Sequence, residues 1–213
     1  MTGGCAAISP DGTKLVFAAG DGKVSRLYLR DLNTLDSTEI PGTEGGFSPF
    51  ISRYGRSIGF GQNAPGRDSW LVTIPIEGGP VKTLAKELFI GASWGDDDTI
   101  VYGTIPGNLR TVSAAGGVSA PLVSVVDGTN EVHSQPEFLP GSTHVLFTSW
   151  LREGAEWRPR IDAIEIRTGK SRVILEDASQ PKYVPSLKTL LFHRKGYVLA
   201  ATIDIEQIGR AHV

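Results

Sequence analysis

Apolar residues recur along the chain in short, strand-length groups, and each group follows a turn rich in Pro, Asp, Gly or Ser. Five stretches share this pattern and end on an aromatic residue: 8–17, 51–60, 93–102, 138–147 and 183–192. The closing aromatics follow one another at intervals of 43, 42, 45 and 45 residues and are Phe17, Phe60, Tyr102, Phe147 and Phe192. A strand-rich repeat of about 40–45 residues is typical of the blades of a β-propeller.

Each interval is expected to hold four short strands. Alternation is clearest in the third strand of a repeat, as at 26–30 and 161–166, and it suits a pleated strand with one face in a core. The sequence therefore predicts an all-β fold, a β-propeller of four-stranded antiparallel blades. About five blades are expected, the last incomplete, at about 1–43, 44–86, 87–124, 131–176 and 179–207. The nearest segment to a helix, 83–88, is short and lacks caps.

Charge and composition narrow the function classes. The 213-residue chain has a net charge of −2 and no basic stripe, so a nucleic-acid partner has little electrostatic support. Cys5 is the single cysteine, which excludes an internal disulfide and a zinc site built on paired cysteines. No stretch approaches the ~20 apolar residues that cross a bilayer, so no membrane contact is predicted within this segment.

The ends of the chain indicate a fragment of a longer protein. A propeller needs a closed ring, because an open blade leaves a strand edge and an apolar face in water, and the fifth repeat is unfinished. The first residues lack the basic and apolar regions of a signal peptide, so a targeting segment is expected upstream. Residues 208–213 leave the repeat pattern and resemble the translation of a common sequencing adapter. We expect them to be non-native and the parent protein to extend in both directions.

Two resemblances to known families follow from short motifs. The turn Ser9-Pro10-Asp11-Gly12 before an apolar strand resembles the signature of the TolB-like family of bacterial propellers. Further motifs occur in order across nearly the whole chain, among them Pro-Gly-Thr-Glu-Gly at 41–45, Gly-Gly-Pro-Val at 78–81, Phe-Leu-Pro-Gly at 138–141 and Tyr-Val-Pro at 183–185. Their order is similar to that in the propellers on the C-terminal side of bacterial membrane-anchored serine/threonine protein kinases.

The kinase resemblance implies an upstream kinase domain, a transmembrane helix and a propeller outside the cytoplasm. Such a propeller would be a sensor region that binds a protein or a small ligand on its face; a cytosolic chain is the alternative location. This segment contains no kinase Gly-rich loop, His-Arg-Asp loop or Asp-Phe-Gly motif, so no catalytic residue, cofactor or metal is predicted. Two other functions stay open: a propeller cap of a prolyl-oligopeptidase-type serine peptidase, and a free TolB-like periplasmic scaffold.

Two motifs match functional patterns but are better explained by the repeat. Gly91-Ala92-Ser93-Trp94-Gly95 has the G-x-S-x-G form of a nucleophile elbow, which needs a helix after the serine; here a turn and a strand follow, so Ser93 is predicted to end an inner strand. Asp96-Asp97-Asp98 could offer oxygen ligands to calcium. Its place in the repeat predicts a solvated turn instead.

The candidate binding residues lie on one predicted rim. The segment 150–159, expected to be the longest loop between second and third strands, carries Trp150, Arg152, Trp157 and Arg158. Trp and Arg are enriched in binding hot spots, and loops on a rigid scaffold often carry recognition. The alternative is a loop that folds over its own blade, with tryptophan covering apolar surface. His133 is expected just before a first strand, near the channel mouth, where an imidazole could bind a ligand or sense pH. Glu44 and Asp68 are expected on the same rim.

Overall fold

Five antiparallel sheets follow one another along the chain in the computed structural model, which describes residues 6–20, 22–63, 69–105, 107–123 and 131–208, the side chains of 206 and 207 excepted. Within each sheet, strands that are consecutive in sequence are hydrogen-bonded neighbours, so every sheet is a simple meander. The prediction of an all-β propeller with about five blades is confirmed.

The first three blades have four strands each. Blade 1 consists of β1 (Ala6–Ile8), β2 (Lys14–Gly20), β3 (Ser25–Asp31) and β4 (Ser37–Glu39). Blade 2 consists of β5 (Gly46–Ile51), β6 (Ser57–Asn63), β7 (Ser69–Pro75) and β8 (Lys82–Ala85). Blade 3 consists of β9 (Phe89–Trp94), β10 (Thr99–Thr104), β11 (Leu109–Ser113) and β12 (Ala120–Val123).

The last two blades differ in completeness. Blade 4 consists of β13 (Glu131–Phe138), β14 (His144–Glu153), β15 (Glu156–Glu165) and β16 (Ser171–Glu176). Blade 5 has three strands in the part of the chain described: β17 (Ser179–Val184), β18 (Thr189–Arg194) and β19 (Tyr197–Thr202). Because β19 pairs only with β18 there, its other edge is unpaired, and Tyr197 and Val198 are exposed.

The first strands of neighbouring blades, β1, β5, β9, β13 and β17, contact one another in succession. They are therefore the innermost strands of the circular array, and the fourth strands lie outermost. A short helix, α1 (Ile205–Ile208), follows blade 5. No helix in the described ranges is both long and apolar enough to cross a membrane.

One hydrophobic cluster fills each interface between adjacent blades. In β10, for example, Ile100 and Tyr102 pack against blade 2, whereas Val101 between them packs against blade 4. Consecutive side chains of a strand point to opposite faces, so a strand buried on both faces reads as an unbroken apolar run. This explains why the second strands were so visible in the sequence.

The five closing aromatics occupy equivalent positions. Phe60, Tyr102, Phe147 and Phe192 lie on second strands, are at most 5% exposed, and each packs in the cluster shared with the preceding blade. Phe17 would face a blade before blade 1. With no such blade among the described residues, it is half-buried and stacks on Tyr28, with ring centroids 5.6 Å apart.

Two glycines of β6 make room for aromatic rings. The register pairs Phe50 of β5 with Gly59, and a Cβ at Gly59 would lie 2.1 Å from Cζ of Phe50. A Cβ at Gly61 would lie 2.4 Å from Cζ of Phe47. A ring laid over a cross-strand glycine covers backbone that has no side chain of its own. The glycines on either side of Phe60 are therefore packing positions.

A backbone bulge recurs in four inner strands. Ser48, Gly91, Gln135 and Gln180 all have positive φ, at 48°, 90°, 51° and 56°, and the pairing of each first strand with its second strand shifts at that point. A bulge leaves one residue out of the ladder and bends the strand. Each of the three non-glycine residues precedes a proline.

The segment 83–88, which was not expected to form a helix, contributes its first residues to β8. Three local features differ from the sequence analysis or lie outside it. Pro185–Leu187 forms a 3₁₀ turn. The turn of blade 3 is one residue shorter than the ungapped repeat implies, because Trp94, rather than Ser93, pairs with Ile100. Of the predicted non-native tail, Ile208 ends α1 and packs against blade 5; residues 209–213 lie outside the described residues.

Candidate binding rim

The upper rim is the end of the propeller at which the first strand of each blade begins. Because the strands alternate in direction, the connections between second and third strands and the crossings between blades lie at this end. The described rim residues predicted from the sequence belong to these segments or to strands beside them. Asp68 lies outside the described residues.

The segment 150–159 is a β-hairpin, so its prediction as a loop is wrong. β14 and β15 have ten residues each and stay paired up to Glu153 and Glu156. The turn between them is only Gly154-Ala155, and Gly154 has φ of 64°, which glycine adopts without steric cost. Of the second and third strands in the described residues, β14 and β15 are the longest pair.

The hairpin has two distinct faces. Residues directly opposite each other in an antiparallel pair share a face, and so do alternate residues of one strand. Trp150 pairs with Pro159, and Arg152 pairs with Trp157; these four side chains form what we call the aromatic face. The opposite face, which we call the charged face, carries Leu151, Glu153, Glu156 and Arg158.

The aromatic face is turned towards blade 5. Thr148 shares this face two residues before Trp150, and its Oγ1 accepts a hydrogen bond of 2.9 Å from the N–H of Gln180. Trp150 is half-buried, and its indole Nε1 donates to Ser134 Oγ at 3.1 Å. Trp157 is 46% exposed. The hairpin therefore presents one indole that is held in place and one that is open to solvent.

A half-buried charge network centred on buried Asp162 fixes the base of the hairpin. Arg160 Nε donates to both carboxylate oxygens of Asp162, at 2.9 and 3.1 Å, and its Nη2 lies 3.3 Å from Glu131 Oε1. Ser149 Oγ donates to Asp162 Oδ2 at 2.5 Å. Burial alone would lower the pKa of Arg160, but the hydrogen bond and charge of Asp162 raise it above its ordinary value. This network joins β13, β14 and β15 below the exposed part of the hairpin.

His133 lies within β13 rather than before it. It is only 5% exposed, its Nε2 is 3.2 Å from Glu131 Oε1, and its ring meets Phe147 edge-on with centroids 5.2 Å apart. Its Nδ1 is buried without a hydrogen-bond partner. The structure thus places His133 behind the rim, between blades 3 and 4, where its contacts are with the protein itself.

Glu44 lies at the crossing between blades 1 and 2. It lines an open cavity of about 690 Å³ together with Phe47, Asn63 and several glycines. Its carboxylate is 3.9 Å from Nε of Arg26, which lies closer, at 3.2 Å, to Glu39. The structure therefore brings the four predicted hairpin residues together and leaves Glu44 two blades away.

The G-x-S-x-G match at 91–95 and the Asp triplet at 96–98 both make contacts within and between blades. Ser93 lies in β9, its Oγ accepts a hydrogen bond of 3.0 Å from the N–H of Phe138, and a turn and β10 follow it. In the Asp triplet, Asp96 pairs with Arg53 at 2.5 Å and accepts from the N–H of Gly141 at 2.8 Å, which links three blades. Asp97 and Asp98 accept from separate groups. No cluster of potential metal ligands occurs among the residues described.

Comparison with known proteins identifies the fold. No protein-family model matches the sequence, and a search of curated proteins finds no match. Among solved structures, TolB from Acinetobacter baumannii superposes with a TM-score of 0.72 at 16% identity over 92% of this chain and 50% of that chain. A protein described as TolB from Agrobacterium tumefaciens gives 0.71 at 18% identity, over 88% and 68%. The tricorn protease gives 0.69 at 13% identity, over 96% and 25%.

This chain thus spans half of the Acinetobacter protein and a quarter of the protease. At these identities the similarity concerns the arrangement of the strands and leaves the chemistry of each site open. The chain has a TolB-like β-propeller fold.

Proposed function

We propose that this chain is a non-catalytic binding module that holds a protein partner on its upper rim, at the β14–β15 hairpin of blade 4. The observation that carries the proposal is the hairpin itself: two tryptophans and two arginines stand on strands that continue beyond their neighbours. Large aromatic side chains and arginines supply much of the binding energy in protein interfaces.

The base of the hairpin supports this assignment. The Arg160–Asp162–Glu131 network and the Trp150–Ser134 hydrogen bond hold the two strands before any partner arrives. A surface that is already ordered loses less conformational entropy on association than a mobile loop would. Pre-organisation favours a recognition role over a connection that merely joins two strands.

The experiment compares the two ends of the propeller in cells of the source organism. A photo-crosslinking phenylalanine analogue replaces Trp157 in one variant and Leu35 in the other. Leu35 is 87% exposed in the turn between β3 and β4, at the lower end. We expect a discrete crosslinked protein from position 157 alone. Equal products from both positions, or none from 157 in a folded variant, contradict the proposal.

We further propose that the module is the extracytoplasmic sensor region of a bacterial membrane-anchored serine/threonine protein kinase. Support comes from the ordered motifs along the sequence, and the TolB-like fold is compatible with this location. The reading frame around this segment tests the proposal, because a kinase domain and a membrane helix are expected upstream. Their absence from the complete frame contradicts it.

A second candidate, the propeller of a serine peptidase, has one observation in its favour: the similarity to the tricorn protease. It predicts an α/β-hydrolase domain in the same reading frame. A secretory signal with no further domain would instead favour a free TolB-like scaffold. The same reading frame therefore separates all three proposals.

A further inference from the structure

The two faces of the hairpin differ in the balance of their charges. On the charged face, Arg158 Nε is 2.9 Å from Glu153 Oε2, so its charge is matched within the hairpin. On the aromatic face, Arg152 Nε donates to the carbonyl oxygen of Gly154, at 3.3 Å, and to no other group among the described residues. No carboxylate of the described residues lies within ion-pair distance of Arg152. Glu153 neutralises Arg158, whereas Arg152 is available to an incoming anion.

The surroundings of Arg152 are apolar. Trp157 lies directly across from it, and Trp150 and Pro159 lie two residues away on the same face. The hydrogen bond from Trp150 to Ser134 satisfies the indole N–H and leaves the ring as apolar surface. A guanidinium beside exposed aromatic surface binds a carboxylate well, because its planar fork matches both oxygens.

The same geometry argues against a polyanion. Nucleic acids and anionic polysaccharides are held by several cations in a row, but the aromatic face has one unmatched arginine. Glu156 lies at the tip of the hairpin beside the Glu153–Arg158 pair, and the chain as a whole has a net charge of −2. These charges repel a ligand with many negative groups and tolerate one with a single carboxylate.

We propose that the aromatic face binds a segment of a protein partner in which one glutamate or aspartate is flanked by apolar side chains. Arg152 pairs with the carboxylate, and Trp157 and Pro159 cover the apolar neighbours. This inference rests on the proposed binding function and adds the chemistry of the partner and the side of the hairpin that it contacts.

The test uses the indole N–H resonance of Trp157, assigned with a Trp157→Phe variant, during titration with blocked tripeptides. The probes are acetyl-Leu-Glu-Leu-amide, its Gln and Lys counterparts, and inorganic phosphate. We expect the Glu peptide to bind about tenfold more tightly than the Gln peptide, the effect of one charge-assisted pair. Added salt should reduce that preference.

Arg152→Gln should abolish the preference for glutamate, and Arg158→Gln, on the charged face of the same hairpin, should leave it within about twofold. The inference is overturned if the Glu and Gln peptides bind equally, if Arg158→Gln has the larger effect, or if phosphate competes as well as the Glu peptide. Crosslinking at position 157 without a preference for glutamate would retain the binding function and refute only this partner chemistry.

Discussion

Replacing Gly59 by alanine tests the packing of the interface between blades 2 and 3. The added Cβ would lie 2.1 Å from Cζ of Phe50, where ordinary contact begins at 3.4 Å, so the ring must move by more than an ångström. Phe50 cannot move freely, because its ring packs against Phe89 and Trp94 at centroid distances of 6.4 and 6.1 Å. Overpacking of this kind costs about 2 kcal/mol.

The assay is urea unfolding followed by circular dichroism, with the dependence on denaturant concentration fitted for each variant. For a chain of this length, a loss of about 2 kcal/mol lowers the melting temperature by about 4–8 °C. The matched variant is Phe50→Leu, which removes the ring that the methyl group would strike.

The double variant, with Gly59→Ala and Phe50→Leu together, tests whether contact with the Phe50 ring causes the loss of stability. If the clash with Phe50 is responsible, Gly59→Ala costs at least about 1 kcal/mol less in the Phe50→Leu background than in the wild type. Additive effects of the two substitutions would refute the explanation. So would a loss of less than about 0.5 kcal/mol for Gly59→Ala alone, because the interface would then be looser than the structure indicates.

Two further predictions concern charges. Arg160→Met should destabilise the chain by about 3 kcal/mol in urea unfolding, since it leaves buried Asp162 unpaired, and adding Asp162→Leu should recover most of the loss. The hydroxyl of Ser9 and the Thr13 N–H lower the pKa of Asp11 from 3.8 to about 2. The stabilisation is therefore present above pH 3.8 and is lost as pH falls towards 2. In NMR titrations, Ser9→Ala should raise this pKa; an unchanged value contradicts the assignment.

The sequence predicted the blades because both faces of the second strand are buried in blades 2 to 4. Runs such as Ile100-Val101-Tyr102 have no polar interruption, and the turns between strands carry Pro and Gly at a regular interval. Neither signal depends on contacts distant in sequence. The fold class could therefore be predicted from local pattern and period alone.

The site was less visible because it depends on pairing. Trp150, Arg152, Trp157 and Arg158 could be identified by type, but which of them share a face follows from the two-residue turn at Gly154, which sets the register. The Arg160 network was missed. Its only trace in the sequence is Arg160 and Asp162, which lie on either side of Ile161 where the exposed half of β15 gives way to the buried half.

His133 shows a second reason why the site was harder to predict than the fold. An imidazole near a predicted channel mouth was a reasonable candidate for recognition, but the strand begins at Glu131, two residues before His133, and carries His133 into the interface. A shift of this size separates an exposed residue from a buried one, and the hydrophobic pattern alone does not determine strand ends so closely.

Every hydrophobic cluster described here belongs to two adjacent blades. In the described residues, a blade shares a hydrophobic cluster only with the blade before it and the blade after it. In evolution, duplication or deletion of a blade-length stretch of the gene therefore requires only that these two blade–blade interfaces form again. Ancestral copies could therefore multiply without redesign of the interior, and a single blade could acquire a long hairpin while its neighbours kept short connections.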